Sequence, residues 1–494
     1  MQLLPRSRTA RILLSLVLFA CLAVAVDLAW TWHWKQIIVS HDTTRITAPL
    51  NPQGYPDYLA ALNTQLSQGI TPPKNENNAA PLLLQIVGTT QTNLTWQTAT
   101  HKLLNLPPDP LPPQMITLYQ FRQEPRDHDA QMAVIHDMEN ARNAPWSREA
   151  NLELAQWIDR NTHALDLLHT AVTRPRYYLP LLNRDGQPAH IGEQFFINLA
   201  TPRLAAYKEL ADICTARAMS RLDAGDFDGF HHDLLITARL ARLLTQSATL
   251  IEYLVALAID ARTFMTAQTA AISGKFNATQ ITTLLRDLDQ LPPFPSPAAQ
   301  IDTADRYIWL DFICKFAHYG GDDTPEVEFS RKFVPVNFNA LLRITNTHYD
   351  ALMNTIALPT FTQRQLAFEQ LSQNAARIYN QSSKFSQNIL SRVFYDLHKT
   401  DILRTRSLAT RNLALTALAL RSYKLQNGQY PDALTALPTA AYLQDPFVDA
   451  PLAYCRQAEG YLLYSLDENQ QDDNGLPKSP TNPIDFDLPL QAAQ

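Results

Sequence analysis

A turn between two segments of helical periodicity is the feature that most limits how this chain can fold. From residue 204 to residue 244, apolar side chains recur every three or four positions on both sides of Asp223-Ala224-Gly225-Asp226. Gly225 can adopt the left-handed conformation that ends one helix, and Asp226 can cap the next. The sequence therefore predicts an antiparallel pair of helices here.

Further segments with the same period extend from residue 147 to about residue 400 and include predicted helices over residues 299–317 and 389–397. Only 13 of the 494 residues are glycine, and this scarcity favours helix over sheet. The helix pair resembles those that stack in tetratricopeptide arrays, but no repeat of about 34 residues occurs. We therefore expect a mainly α fold of layered helical hairpins, tetratricopeptide-like in part, between an N-terminal transmembrane helix and a small C-terminal α+β module.

Changes in composition divide the chain into four predicted regions. These are a cytoplasmic tip and transmembrane anchor (residues 1–34), a proline-rich connector with short helices (35–146), an α-helical body (147–400) and the C-terminal module (401–494). Prolines at positions 107, 108, 110, 112 and 113 interrupt the connector. Such breaks are more often spacers than functional loops.

The N-terminal region has the pattern of a membrane anchor. Three arginines precede an apolar run over residues 12–30, and three tryptophans follow at its far end. The run is about 19 residues, or roughly 28 Å as a helix, close to the thickness of a bilayer core. Basic residues before the span and aromatic residues after it predict a cytoplasmic N-terminus and a body on the other side.

A cleaved signal peptide is the alternative interpretation of this region. A short apolar segment followed by small residues has the same appearance, and Ala20-Cys21 is similar to a lipoprotein cleavage site. The apolar run continues well past Cys21, whereas a lipoprotein would become polar there. A retained anchor is therefore the favoured interpretation.

Net charge and cysteine spacing limit the kinds of ligand and cross-link that we expect for this chain. A formal charge of -6 without a basic run gives no electrostatic reason to expect nucleic acid as a partner. Outside the apolar run, Cys214, Cys314 and Cys455 are far apart and lack CxxC spacing. Buried free thiols are favoured over metal ligands, although a disulfide between Cys214 and Cys314 stays open.

The last ninety residues contain the most specific pattern. A helical segment over residues 413–425 leads into Asn427-Gly428-Gln429-Tyr430-Pro431, then Asp445-Pro446-Phe447, two predicted strands at residues 451–456 and 461–465, and Asp472-Asp473-Asn474-Gly475. Together these resemble the C-terminal half of a type II secretion major pseudopilin. The resemblance implies a helix packed on a small antiparallel sheet, followed by an acidic loop that binds calcium.

The implied calcium ligands are Asp467, Asn469, Asp472 and Asp473, whose side-chain oxygens suit that ion. A solvated turn after the last strand is the alternative. The chain departs from the family pattern at Asp449 and Asp467, where glycine is usual. It also lacks the N-terminal processing site and glutamate of pilin-type precursors, so assembly into a pseudopilus is not expected.

Several segments together resemble a group of long, single-pass, helix-rich bacterial proteins of unknown function. The matching segments are residues 66–71, 75–83, 223–230, 233–235 and 249–252, and the pseudopilin-like tail closes the same pattern. This resemblance covers nearly the whole chain. It implies an architecture and offers no catalytic residue.

The remaining polar patterns favour structural roles. His231 and His232 are adjacent, and neighbouring residues on a helix point about 100° apart, which disfavours a shared metal ion. No GxSxG, P-loop, GxGxxG or paired-carboxylate signature occurs. The aromatic groups around Tyr177 and Tyr307 are interpreted as core rather than as a ligand groove.

These observations lead to three hypotheses of function. The favoured one is a scaffold anchored in the bacterial cytoplasmic (inner) membrane, with its body on the periplasmic side and a protein partner. The second is an accessory component of a type II secretion or pilus-like system. The third is an envelope hydrolase, which would require a cleft with convergent carboxylates or histidines. An enzyme is not expected, and calcium is the one cofactor considered.

Overall fold

The computed structural model of the chain describes residues 36–70, 76–89, 94–124, 127–182, 193–319, 336–458, 460–476 and 488–492, together with Phe19. Within these residues the fold is mainly helical, as predicted. The described α-helices of at least one turn are α1 Tyr58–Leu66, α2 Ala80–Val87, α3 Leu94–Leu104, α4 Leu118–Phe121, α5 His128–Asn143, α6 Leu152–Arg160, α7 Thr162–Val172, α8 Glu193–Asp223, α9 Phe227–Leu244, α10 Leu250–Ser273, α11 Ala278–Asp289, α12 Arg306–Tyr319, α13 Phe338–Ile356, α14 Phe361–Gln381, α15 Lys384–Val393 and α16 His398–Asn427.

The predicted helix pair is confirmed in α8 and α9. Gly225 lies between them with φ +71°, the left-handed conformation that glycine adopts without steric cost. The Asp226 carboxylate accepts a hydrogen bond from the Gly229 N–H at 3.0 Å and so caps α9. The two helices pack against each other along their length.

Two predicted helices differ from the structure at their ends. The segment predicted as helix over residues 299–317 contains a π-helical turn, Ile301–Asp305, before α12. The helix predicted over residues 389–397 begins earlier, at Lys384, and ends at Val393. The next helix, α16, begins at His398, and the Asp396 carboxylate accepts a hydrogen bond from the His398 N–H.

The larger hydrophobic core runs from α2 to the C-terminal sheet. It contains side chains from early, middle and late parts of the chain, including Leu83, Trp157, Phe264, Leu415 and Tyr461. Helix α16 packs against α10 and α11 on one side. The helical body and the end of the chain therefore share one interior.

A second core lies around α12 and α13. Fully buried side chains from four helices meet there, among them Leu59, Leu310, Leu342 and Leu390. Tyr307 and Trp309 belong to this core, which confirms their interpretation as core residues. This second core positions the cleft described below.

The C-terminal module contains an antiparallel sheet in the order β3-β4-β5 and a separate β1-β2 pair. The strands are β1 Gln444–Asp445, β2 Ala450–Pro451, β3 Ala453–Arg456, β4 Tyr461–Ser465 and β5 Leu488–Ala492. The two predicted strands correspond to β3, preceded by β2, and to β4. The third strand of the sheet, β5, was not predicted. The Thr416 hydroxyl donates to the Tyr442 carbonyl at 3.1 Å and ties this module to α16.

Among the described residues, no helix is both long and apolar enough to cross a membrane. The predicted anchor at residues 12–30 lies outside those residues, apart from Phe19.

Candidate functional site

An open cleft of about 350 Å³ lies between α13, α14, α15 and the segment that leads to α16. Its inner wall includes the buried side chains of Leu352, Phe368 and Leu397. Ser372 and Ser391 lie at its rim, where both are exposed. The cleft is thus apolar inside and polar at its opening.

His348 places an imidazole in this wall. Helix α13 buries Leu341, Thr345, Tyr349 and Leu352 at helical spacing, and the half-buried His348 lies at the edge of that stripe. Its ring contacts the Phe394 ring at a centroid distance of 4.7 Å. Within the described part of the chain, no hydrogen-bond partner faces the imidazole.

Burial lowers the pKa of His348 to about 4 because the charged form would lose its hydration. The imidazole is therefore neutral at pH 7. A neutral imidazole carries one N–H donor and one acceptor nitrogen. His348 can consequently offer either kind of hydrogen bond to a molecule in the cleft.

The carboxyl group of Asp305 lies behind the cleft and holds one aromatic ring of the cleft wall, that of Tyr395, in position. The hydroxyls of Tyr349 and Tyr395 donate to the same Asp305 carboxylate oxygen, at 2.7 and 2.5 Å. Tyr395 lines the cleft, whereas Asp305 belongs to the π-helical turn. Burial raises the pKa of Asp305 to about 6, although the two tyrosine hydroxyls act in the opposite direction.

Arg306 follows in the chain and is fully buried. Its guanidinium forms ion pairs with Asp302 at 2.7 Å and Asp350 at 2.8 Å, and it lies over the Tyr349 ring at 5.4 Å. These contacts connect the π-helical turn to α13. They hold the carboxyl–tyrosine group behind the cleft in position.

The four predicted calcium ligands have different neighbours. Asp467 is buried and accepts from the Arg406 Nε at 2.8 Å, so a cation of the protein itself already pairs with it. Asp472 accepts from the Tyr464 hydroxyl at 2.8 Å. The Asn469 amide donates to Asp473 at 3.0 Å, and these two residues lie together.

Across the described ranges, no three His, Cys, Asp or Glu side chains converge in a way that could hold a metal ion. Asn469 would bind calcium through its amide oxygen, and asparagine is not one of these four residue types. Calcium binding by Asn469, Asp472 and Asp473 stays a prediction.

Four described residues of this module other than glycine have positive φ: Asp449, Asp467, Gln470 and Asn474. Asp449 and Asp467 stand where the resembled family has glycine, and both have positive φ, +50° and +56°. This conformation is uncommon for residues other than glycine, with asparagine and aspartate the usual exceptions. Both positions therefore adopt left-handed turns, the conformation that the glycines expected from the resemblance would favour.

The adjacent histidines of α9 have separate neighbours. The His231 Nε2 lies 3.1 Å from an Asp287 oxygen, and the His232 ring lies 4.6 Å from the His169 ring. Burial is the main cause that lowers the pKa of His232. The structure therefore directs the two imidazoles to different helices.

An ion-pair group between α8 and α9 was not predicted. Asp233 is fully buried, and its carboxylate accepts from Arg217 at 2.5 Å and from Arg221 at 2.8 Å. Residues at positions 217 and 221 lie one turn apart on α8, so both reach the same point of α9. This group joins α8 to α9 and lies outside the cleft.

The cleft itself was also missed from sequence. Its residues come from three helices and a connecting segment, and no local spacing distinguishes His348 or Tyr395 from ordinary helical positions. The chain matches no protein family, no curated protein and no solved structure. Similarity therefore assigns no role to the cleft or to the acidic loop.

Proposed function

We propose that this chain is a membrane-anchored extracytoplasmic scaffold that holds a protein partner. Residues 12–30 supply the anchor, on the basis of their length and their basic and aromatic flanks. The described residues supply a folded body of helices with a small sheet at its end. The biochemical activity is binding rather than turnover.

The observation that supports this proposal best is the way α16 joins the body to the C-terminal module. Leu413, Leu415 and Leu418 of α16 are buried in the same core as Leu463 of β4 and Phe264 of α10. A sheet that shares its core with the body cannot move independently of it. The chain therefore offers a partner one rigid surface.

The sheet also offers a place for that partner. Within the described strands, β3 pairs with β4 on one side and forms an edge of the sheet. Edge strands carry backbone groups that another chain can pair with. Cys455 lies in β3 and is exposed.

Crosslinking from Cys455 tests the proposal in the native membrane. A photoreactive maleimide reagent would be attached to a Cys21→Ser chain, in which Cys214 and Cys314 are buried and so shielded from the reagent. We expect one partner protein to be crosslinked reproducibly, and a Cys21→Ser, Cys455→Ser chain to give none. Complete labelling of Cys455 with no reproducible partner would contradict the scaffold, as would hydrolysis of envelope polymers by the purified chain.

An accessory role in type II secretion is the second candidate. It is supported by a long helix, α16, that leads into an antiparallel sheet, and by the left-handed turns at Asp449 and Asp467. In this case the crosslinked partner would be a pseudopilin or another secretion component, and deletion of the gene would reduce secretion. Normal secretion after deletion would remove this candidate and leave the general scaffold.

A further inference from the structure

The cleft between α13, α14 and α15 has the size of a small-molecule site. Its volume of about 350 Å³ is at the lower end of the range found for ligand pockets, roughly 300–1,000 Å³. Such pockets are mainly apolar and contain a few polar groups that orient the ligand. The buried wall of this cleft and its single imidazole fit that description.

Charge excludes most ionic ligands. The residues that line the cleft include no lysine or arginine. Asp396, the carboxylate of the lining, is exposed at the rim and already accepts a hydrogen bond from the His398 N–H. An ion of either sign inside would lose its hydration without an opposite charge beside it, because no cationic side chain lines the cleft and its one carboxylate lies at the rim.

Aromatic rings favour a flat ligand. Phe368, Tyr379, Phe394 and Tyr395 all line the cleft, and the His348 ring lies against Phe394. Aromatic pairs prefer offset or edge-to-face contacts and gain more than their buried area alone provides. The hydrogen bond from Tyr395 to Asp305 fixes one of these rings before any ligand arrives.

We propose that the cleft binds a small, uncharged aromatic molecule whose single hydroxyl or carbonyl group hydrogen-bonds to the His348 imidazole. The wall supplies apolar contacts, and His348 supplies the polar contact that sets the orientation. This site is separate from the sheet edge at β3. It therefore goes beyond the scaffold function, and either proposal can fail without the other.

Three related probes test the chemistry of the site. They are 2-naphthol, naphthalene, which lacks the hydroxyl group, and 2-naphthoate, which is an anion. Each is titrated calorimetrically into the full-length chain in lipid nanodiscs, with empty nanodiscs as the blank. We expect 2-naphthol to bind one molecule per chain, about fivefold more tightly than naphthalene, because one neutral hydrogen bond contributes about that much. The anion should bind more weakly than either.

Three variants locate the binding. His348→Phe keeps a ring but removes the hydrogen bond, so 2-naphthol and naphthalene should then bind with equal affinity. Ala375→Trp fills the cleft from α14 and should abolish binding of both. Gln373→Trp adds the same ring to α14 at an exposed position outside the lining and should bind as the wild type does.

Two results would overturn the proposal. One is unchanged 2-naphthol binding in Ala375→Trp, which would place the probe elsewhere or in the lipid. The other is tighter binding of 2-naphthoate than of 2-naphthol, which would mean a charged ligand. If His348→Phe does not fold, Ala375→Trp and Gln373→Trp still decide the location, and the naphthalene comparison decides the hydrogen bond.

Discussion

Asp305 combines two properties that rarely coincide in one residue. Its carboxyl group is enclosed behind the cleft, yet it accepts hydrogen bonds from two tyrosine hydroxyls that also stabilise its charged form. The loss of hydration outweighs the two hydrogen bonds, so the pKa of Asp305 in the folded state, about 6, is above the ordinary value of 3.8. The folded state therefore holds a proton at Asp305 over a pH range in which the unfolded chain has released it.

Stability should depend on pH through this residue. Between about pH 4 and pH 6 the folded state binds more protons at Asp305, so the contribution of Asp305 to stability falls as the pH rises through that range. Asp305→Asn cannot titrate. The difference in unfolding free energy, wild type minus variant, should fall by about 2 kcal/mol from pH 4 to pH 7, and urea denaturation at four pH values measures it.

An exposed aspartate provides the control. Asp109 is exposed in the connector, and Asp109→Asn should give a difference that varies little over the same pH range. The prediction fails if the difference in unfolding free energy between the wild type and Asp305→Asn varies as little with pH as the difference for Asp109→Asn. The Asp305 carboxyl group would then titrate in the folded state as an ordinary aspartate does.

At the scale of single elements, the α8–α9 pair contains the buried ion-pair group as well as apolar packing. Replacing Asp233 with alanine leaves Arg217 and Arg221 partly buried without their shared carboxylate. Removing one partner of such a group costs more than the group contributes in net stability. We expect Asp233→Ala to lower the free energy of unfolding by about 3 kcal/mol, measured by urea denaturation.

Asp228→Ala is the matched substitution for this test. Asp228 lies in the first turn of the same helix and is exposed. Its loss should cost about 0.5 kcal/mol through the helix dipole alone. Equal losses in the two variants would show that the buried carboxylate is not needed.

Calcium binding is tested in the C-terminal loop. Asn469 and Asp473 lie together, and Asp472 is close in sequence, whereas Asp467 pairs with Arg406. If calcium binds here, isothermal titration of the full-length chain should give a signal that Asp473→Ala abolishes. Asp432→Ala, an exposed acidic position of the same module, should leave that signal intact. Binding that survives Asp473→Ala would assign the ion to another place.

Helices with a strong apolar stripe could be predicted from the sequence, and weaker elements could not. The pair around Gly225 was predicted because its period and its turn residues agree. Helix α5 was missed because only Val134, Met138 and Ala141 of its 16 residues are buried, which leaves a narrow stripe. Strand β5 was missed because its short segment, with Pro489, lacks a clear strand signal.

The candidate site was harder to predict for a different reason. The acidic loop could be picked out as a local run of aspartates, but its pairing with Arg406 depends on a residue about sixty positions earlier. The cleft brings His348, Phe368 and Tyr395 together from separate elements. Such convergence depends on how helices cross, and the sequence pattern of one helix does not contain that information.

At the scale of the whole molecule, the cysteines can test the proposed position of the body outside the cytoplasmic membrane. Cys455 is exposed, whereas Cys214 and Cys314 are buried. If the body is periplasmic, a membrane-impermeant maleimide should label Cys455 in spheroplasts without lysis, and mass spectrometry should find the label at that residue. Cys455→Ser should remove the labelling. Labelling that appears only after lysis would place the body in the cytoplasm and reverse the predicted orientation.

The shared core has a further consequence for how this chain reaches its native state. Helix α10 ends at residue 273, but the helix that covers it, α16, starts only at residue 398. Synthesis delivers α10 well before its cover, so the apolar side of α10 stays exposed to solvent in the growing chain. Such surfaces aggregate or recruit chaperones. We therefore expect the nascent chain to need protection until its last hundred residues have emerged, and a stop codon before α16 to leave a product prone to degradation rather than a shorter working protein.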